Sequence, residues 1–324
     1  MIFTARQVQE KCQEQHQDLY ITFIDLTKAS DSVNGQGLWQ VLRKIGCLDK
    51  FVKIVESFHE GMQGQVIDGD ELSGMFAVTN GTKQGCVLAL LLFSIFFSMM
   101  LLTAFKDCNL GVPVQFRTDG NVFILWRFQS HIKTVLAVLR DLLYADDCAL
   151  IGHSLDDAQQ LFDCFHAAAV RFGLTVSLKK TEVMFQPAGH STAAQPVIKA
   201  RDTIINAVDR FCYLSSILSS DALVDDNIST WRSKAGSAFG QLSKHRWNDH
   251  GIRMETKVAV YKAAVLTSLL YGCELWVLYR RHVAKLEQFH MCCPRRTAHV
   301  KWQDHIPNTE VLQICSINLV LKPF

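Results

Sequence analysis

Residues 86–105 form an uninterrupted run of twenty positions without a charged side chain. Such a run is long enough to cross a membrane as a helix, so the chain must place it either in lipid or in a protein core. Ser94, Ser98 and Thr103 interrupt its apolar character, and no cluster of basic residues flanks it. These features favour a core helix, and we expect a protein that has no membrane partner.

The composition is that of a folded protein, because 49% of the 324 residues are hydrophobic and 20% are charged. The 11 cysteines are spread along the chain without a CxxC pair, and the N-terminus lacks the apolar segment of a secretory signal. We therefore expect an intracellular protein with reduced thiols, in the nucleus or the cytoplasm and not secreted.

The net charge of +2 conceals an uneven distribution. Residues 1–186 contain 16 basic and 20 acidic side chains, whereas residues 187–324 contain 17 basic and 11 acidic ones. A surface that binds phosphate groups is accordingly expected in the second part.

The hydrophobic pattern predicts an α+β domain followed by helices. Leu19–Asp25 is typical of a strand that ends on a carboxylate, and Ala145–Cys148 lies between two apolar runs as the tip of a hairpin. A second hairpin is predicted around Asp119–Asn121. Helices are predicted over residues 4–16, 38–45, 51–58, 86–105, 155–172, 222–243, 255–271 and 279–296. We place the domain boundary between residues 218 and 219.

Two separate carboxylate sites point to metal chemistry. Asp25 ends one strand, and Asp146 with Asp147 occupies the tip of a hairpin. Carboxylates beside apolar strands require partners, and Mg²⁺ binds through a few carboxylates together with substrate phosphates. The alternative is that Asp146 and Asp147 are solvated turn acids and Asp25 caps a helix.

Four segments carry recognisable motifs. They are Tyr20–Val33 (YITFIDLTKASDSV), Thr79–Ser94 (TNGTKQGCVLALLLFS), Leu142–Ile151 (LLYADDCALI) and Phe172–Met184 (FGLTVSLKKTEVM). In this order and at these separations, the chain resembles the reverse transcriptase of a non-LTR (LINE-type) retrotransposon. The resemblance implies a palm made of an antiparallel sheet backed by helices, with a helical thumb after it.

The same resemblance implies the chemistry of the site. Asp25 and Asp146 would ligate two Mg²⁺ or Mn²⁺ ions with help from Asp147, and the Leu26 carbonyl would hold the metal of the triphosphate. Lys180 would donate a proton to the leaving pyrophosphate, although a solvated lysine is an equal alternative. Gln84 and Gly85 would line the nucleotide pocket. The implied partners are an RNA template, a DNA primer and dNTPs.

Three departures from the family pattern bear on activity. Ser30 stands where the family carries an aromatic ring that excludes a 2′-hydroxyl, so discrimination between sugars is in doubt. Ala89–Phe93 lacks the proline of the usual helix entry, and Ser215 replaces a preferred glycine. Only 24 residues precede Asp25, which implies a copy truncated at the N-terminus, without fingers or endonuclease. A non-catalytic remnant that binds nucleic acid therefore stays open as the alternative to an active polymerase.

The predicted C-terminal helices combine basic residues with large aromatic ones. Interleaved rings at Trp231, Trp247, Tyr261 and Trp276 are suited either to stacking on nucleic-acid bases or to packing in a helical core.

Overall fold

The computed structural model describes residues 1–82, 86–117, 134–189, 196–200, 203–249 and 251–317. It forms two compact units that divide between Phe211 and Cys212. The first is a mixed α+β unit and the second is mainly helical, as the sequence predicts. The predicted turn at Asp119–Asn121 lies outside the described residues.

The strands of the first unit are β1 (Leu19–Ile24), β2 (Gln63–Gly64), β3 (Ile67–Asp68), β4 (Glu71–Leu72), β5 (Phe76–Ala77), β6 (Val112–Arg117), β7 (Thr134–Leu139), β8 (Asp141–Tyr144), β9 (Asp147–Gly152), β10 (Glu182–Gln186), β11 (Lys199–Ala200), β12 (Thr203–Ile204) and β13 (Asn206–Ala207). Its helices are α1 (Ile2–Glu14), α2 (Gly35–Lys44), α3 (Asp49–Ser57), α4 (Val87–Ala104) and α5 (Leu155–Arg171).

A five-stranded sheet in the order β13–β10–β1–β9–β8 organises the first unit. Its central strand, β1, pairs antiparallel with β10 and β9, whereas β13 runs parallel to β10. The apolar, β-branched sequence of β1 suits a strand enclosed on both sides, and five of its six residues are buried. The sheet thus fixes where the strand ends, and with them the acids, must lie.

Helices α4 and α5 pack with the sheet around one hydrophobic core that includes Phe97, Phe165 and Leu150. The Ser154 side chain caps the start of α5 by accepting a hydrogen bond from the Asp157 backbone N–H. Gly173 follows the helix with φ of 77°, the left-handed conformation in which glycine commonly ends a helix.

Helix α4 is the predicted core helix on one face, and its opposite face is apolar but exposed. Phe93, Phe96 and Phe97 face the core, but Leu90 and Leu91 on the opposite side are exposed. By length and composition, two helical stretches of the described chain could cross a membrane: Val87–Ala104 and Met254–Leu275. A core helix passes the same test, and the inner face of α4 has that role here.

The second unit begins within a hairpin, because the division between the units falls inside its first strand, and it continues with helices. Its elements are β14 (Arg210–Tyr213), β15 (Ser216–Ser219), α6 (Asp225–Gln241), α7 (Met254–Val260), α8 (Thr267–Leu269), α9 (Arg280–Thr297) and α10 (Asn308–Cys315), with π-helical segments at Ser243–Trp247 and Tyr261–Leu266 and 3₁₀ turns at Cys273–Leu275 and Trp302–Asp304. A separate core that includes Phe239, Trp247 and Leu286 holds the helices together.

Two polar clusters tie α6 to its neighbours. The buried Asn227 side chain accepts hydrogen bonds from the Ile217 backbone N–H and the Ser216 hydroxyl, and it donates one to the Ile217 carbonyl. Asp225 accepts hydrogen bonds from Arg281 at 2.8 Å and from the buried His282 at 3.0 Å. These contacts fix the hairpin and α9 against one helix.

Candidate active site

The hairpin formed by β8 and β9 carries two adjacent acids at its tip. Tyr144 pairs with Asp147, so Ala145 and Asp146 form a two-residue turn. Ala145 has φ of 54°, the positive value that tight hairpin turns require at their first central position. Both acids are exposed, whereas Cys148 is fully enclosed. The predicted hairpin with its acidic tip is confirmed.

Strand register brings Asp25 to this hairpin. Ile24 pairs with Cys148 in the antiparallel ladder between β1 and β9. Asp25 follows Ile24 and Asp147 precedes Cys148, so the same register places Asp25 across from Asp147. Because both strands reach the same edge of the sheet, residues separated by 121 positions in the sequence become neighbours. The structure therefore brings together the three acids that the motifs identify.

The segment after α5 holds the backbone at Asp25 in place. The Asp25 carbonyl accepts a hydrogen bond of 2.8 Å from the Ser177 N–H, and the Asp25 N–H donates one of 3.4 Å to the Thr181 hydroxyl. Thr181 is fully buried. Sequence reasoning missed this threonine as a support, although it lies next to Lys180 in a segment that the motifs single out.

Leu26 lies in an isolated antiparallel bridge with Val176. The hydrogen bonds of this bridge use the Asp25 carbonyl and the Thr27 N–H. The Leu26 carbonyl consequently has no backbone hydrogen bond from the described residues. This leaves its oxygen available for the ligand role that the resemblance implies.

The electrostatics of the tip reflect the closeness of the acids. Partial burial raises the pKa of the Asp147 carboxyl, and the negative charges of Asp146 and Asp25 raise it further. The three carboxylates therefore repel one another at neutral pH, and a divalent cation between them would offset that repulsion.

The carboxylates do not converge on one point in this structure. In the described part of the chain, no group of three or more His, Cys, Asp or Glu side chains is arranged to hold a metal ion. Asp25 instead faces Lys180, whose Nζ lies 3.6 Å from Asp25 Oδ2. The carboxylate oxygens are the hard donors that Mg²⁺ prefers, so these residues fit the ion in their chemistry and in their position. To bind the ion, Asp25 would have to turn away from Lys180.

Lys180 is 74% exposed, so its ammonium group is accessible from solvent while it lies next to Asp25. A long, flexible lysine side chain in this position can reach a phosphate bound at the acids. The structure thus brings Lys180 to the predicted site.

Ser30 lies where a second segment of the chain docks on the stretch that follows Asp25. The Thr82 N–H donates a hydrogen bond of 2.9 Å to the Ser30 carbonyl, and the Gly81 N–H donates one of 2.8 Å to the Val33 carbonyl. Gly81 has φ of 96°, and a Cβ atom there would approach the Asp31 carbonyl oxygen to 2.8 Å. Only glycine therefore allows this close approach. The predicted nucleotide contacts Gln84 and Gly85 lie outside the described residues.

A cavity of about 570 Å³ opens beside this docked segment. Asp31, Asn80 and Thr82 provide its polar lining, and Phe58, Met62 and Val78 provide apolar walls. Its volume falls within the range of small-molecule sites.

Of the two roles left open for the aromatic residues of the helical unit, three of these residues have the core-packing role. Trp231, Trp247 and Tyr261 are buried. Their rings pack within the protein: Trp247 stacks on Phe239, and its indole N–H donates to the Phe239 carbonyl. These three side chains are therefore core residues, because a ring that nucleic acid cannot reach cannot stack on a base.

The first unit thus combines a sheet that is antiparallel except for β13 with acids at the ends of two neighbouring strands. A model of the family described as "Reverse transcriptase (RNA-dependent DNA polymerase)" matches residues 2–218. The chain belongs to the reverse transcriptase family.

A known polymerase is similar in sequence to most of this chain. It is 22% identical over 291 residues to the "RNA-directed DNA polymerase from mobile element jockey" of Drosophila funebris, which supports the LINE-type resemblance. The match covers 86% of this chain and 28% of that relative, so the chain spans less than a third of the relative's length.

Solved telomerase structures show a more distant likeness. Apo telomerase from Candida tropicalis is 15% identical, with a TM-score of 0.45 over 68% of this chain and 38% of that one. Telomerase from Candida albicans, in complex with a fragment of telomeric RNA, is 11% identical, with a TM-score of 0.41 over 97% of this chain and 49% of that one.

Proposed function

We propose that this chain carries the active site of an RNA-directed DNA polymerase of retrotransposon origin, which adds dNTPs to a DNA primer on an RNA template. The observation that carries the proposal is the register of β1 and β9, which sets Asp25 beside the hairpin tip that holds Asp146 and Asp147. The jockey relative is a much longer protein than this chain. The activity is therefore proposed from the geometry of the site and not from the likeness alone.

Asp25, Asp146 and Asp147 would hold two Mg²⁺ or Mn²⁺ ions. When bound, these ions supply activation of the primer 3′-hydroxyl and stabilisation of charge on the transferring phosphate. The support is the donor set: three carboxylates, of which Asp147 has its pKa raised by partial burial and then by the negative charges of Asp146 and Asp25.

The other residues of the site have separate tasks in this proposal. The Leu26 carbonyl orients the triphosphate end, and the Gly81–Thr82 segment closes one side of the nucleotide site over Ser30. The Lys180 ammonium holds a proton for the leaving pyrophosphate, and it pairs with Asp25 while no substrate is bound.

A second candidate is a protein that binds nucleic acid without catalysis. Two observations favour it: a serine side chain at Ser30 cannot fill the space of an aromatic ring, and Asp25 faces Lys180 instead of the other acids. Both candidates predict nucleic-acid binding, so only nucleotide incorporation separates them.

Primer extension on an RNA template with Mg²⁺ or Mn²⁺ tests the proposal. We expect incorporation by the wild-type chain and a loss of at least about 100-fold in Asp146→Asn, because the amide removes one negative metal ligand. Asp107→Asn changes an exposed acid outside the site and should retain activity. Intact RNA binding without incorporation by the wild-type chain would favour the second candidate.

A further inference from the structure

The loop between α9 and α10 displays an unusually exposed tryptophan. Trp302 is 79% exposed, whereas Trp231, Trp247 and Trp39 are all buried. Tryptophan is the largest apolar side chain, and its exposure on a folded surface leaves most of its hydrophobic area in water. A single exposed ring needs no ligand by itself, so a ligand is indicated only together with the charges that lie near the ring.

Hydrogen bonds hold the backbone of the loop that carries this ring. Asp304 accepts a hydrogen bond of 2.7 Å from the Lys301 backbone N–H, which closes the 3₁₀ turn that carries Trp302. The Arg295 guanidinium donates to the Ile306 carbonyl at 2.8 Å and to the Asn308 side chain at 2.8 Å, which ties the far end of the loop back to α9. The backbone that carries the indole is therefore ordered, so the loop itself needs little ordering when a ligand contacts the ring.

A stripe of positive charge leads to this loop. Lys285 and Arg296 are exposed and, eleven residues apart, lie about three turns from each other on one side of α9. Arg280 is also exposed but lies about 140° away from Lys285 around the helix. In the described part of the chain, none of these three forms an ion pair. The stripe of Lys285 and Arg296 extends about 16 Å at the rise of an α-helix. The loop with Trp302 and the exposed Lys301 follows directly after it.

We propose that Trp302 is a stacking platform for an unpaired base of single-stranded nucleic acid whose phosphates lie along the basic stripe of α9. An indole face accepts a base only when that base is not enclosed in a duplex, and adjacent cations compensate the charge of the backbone. The charge complementarity favours nucleic acid over a protein partner. The inference deepens the proposed function and rests on it for the identity of the strand, which would be the unpaired template.

Fluorescence anisotropy of the full chain with labelled oligouridine, the matching single-stranded DNA and an RNA–DNA duplex tests the platform. We expect Trp302→Ala and Trp302→Leu to weaken binding of the single strands about tenfold. Trp302→Phe should weaken it less, because it retains a ring. The leucine variant separates stacking from simple apolar contact. Preference for RNA or for DNA then identifies the source of the strand.

The variants should keep the thermal stability of the wild type, since Trp302 makes little buried contact. Equal affinities of wild type, Trp302→Ala and Trp302→Leu for the single strands would overturn the proposal, as would a tryptophan effect confined to the duplex. Measuring binding in Asp146→Asn without dNTPs keeps this result separate from the proposed catalysis: a failed primer extension leaves the binding comparison intact.

Discussion

Ser215 occupies a position whose backbone conformation favours glycine. Leu214 and Ser215 connect β14 to β15 with φ of 48° and 64°. Positive φ at both central positions is typical of a type I′ hairpin turn, where the second position favours glycine because it has no Cβ atom. This gives a physical reason for the glycine that the family prefers there and that this chain lacks.

We expect Ser215→Gly to stabilise the protein by about 0.5–1 kcal/mol, since relief of the left-handed conformation outweighs the added freedom of the unfolded chain. Chemical denaturation measures the change. Ser237→Gly is the matched control: the same substitution at an exposed position inside α6 should destabilise by about 0.5 kcal/mol. Stabilisation by both variants, or by neither, would contradict a backbone origin.

Among the elements, α4 shows why sequence alone predicts a helix but not its surroundings. Its residues are apolar on every side, so no periodicity identifies the face that enters the core. The structure supplies that information: Leu92 is 2% exposed and contributes to the core, whereas its neighbour Leu91 is 56% exposed. Two adjacent leucines thus have opposite roles.

We expect Leu92→Ala to cost about 2–5 kcal/mol because it leaves a cavity in the core. The same change at Leu91 should cost less than about 0.5 kcal/mol. Thermal unfolding of both variants in detergent-free buffer provides the comparison. If α4 crossed a membrane, the wild type would need detergent to stay in solution, and this difference between the leucines would be absent.

The elements that sequence predicted well are those with strong local signals. The Asp146–Asp147 tip lies between two short apolar runs, and the glycine after α5 marks its end, so both could be located without coordinates. The pairing of Asp25 with Lys180 and the support from Thr181 could not, because they depend on side-chain geometry between strands distant in sequence. The burial of Trp231 likewise depends on how helices pack, and a pattern of alternating basic and aromatic residues fits core and binding surface equally well.

Over the whole molecule, the part of the chain that forms most of the α+β unit is acidic, and the part that includes the helical unit is basic. The acids of the candidate site belong to the α+β unit, and residues 1–186 contain an excess of acidic side chains. Residues 187–324 contain 17 basic and 11 acidic side chains. Because affinity for nucleic acid comes largely from released counterions, binding should depend on the basic residues of the helical unit.

The salt dependence of single-stranded RNA binding tests this division of labour. Replacing Arg280, Lys285 and Arg296 together with alanine should make the negative slope of log affinity against log salt concentration shallower by about 2. Each lost phosphate contact contributes about 0.7 to the size of this slope. The control removes the same charge from the α+β unit by replacing the exposed Lys44, Lys50 and Lys53, and it should leave the slope nearly unchanged. An equal decrease in both triple variants would mean that the strand is held by charge distributed over the whole chain, and the division by unit would then be wrong.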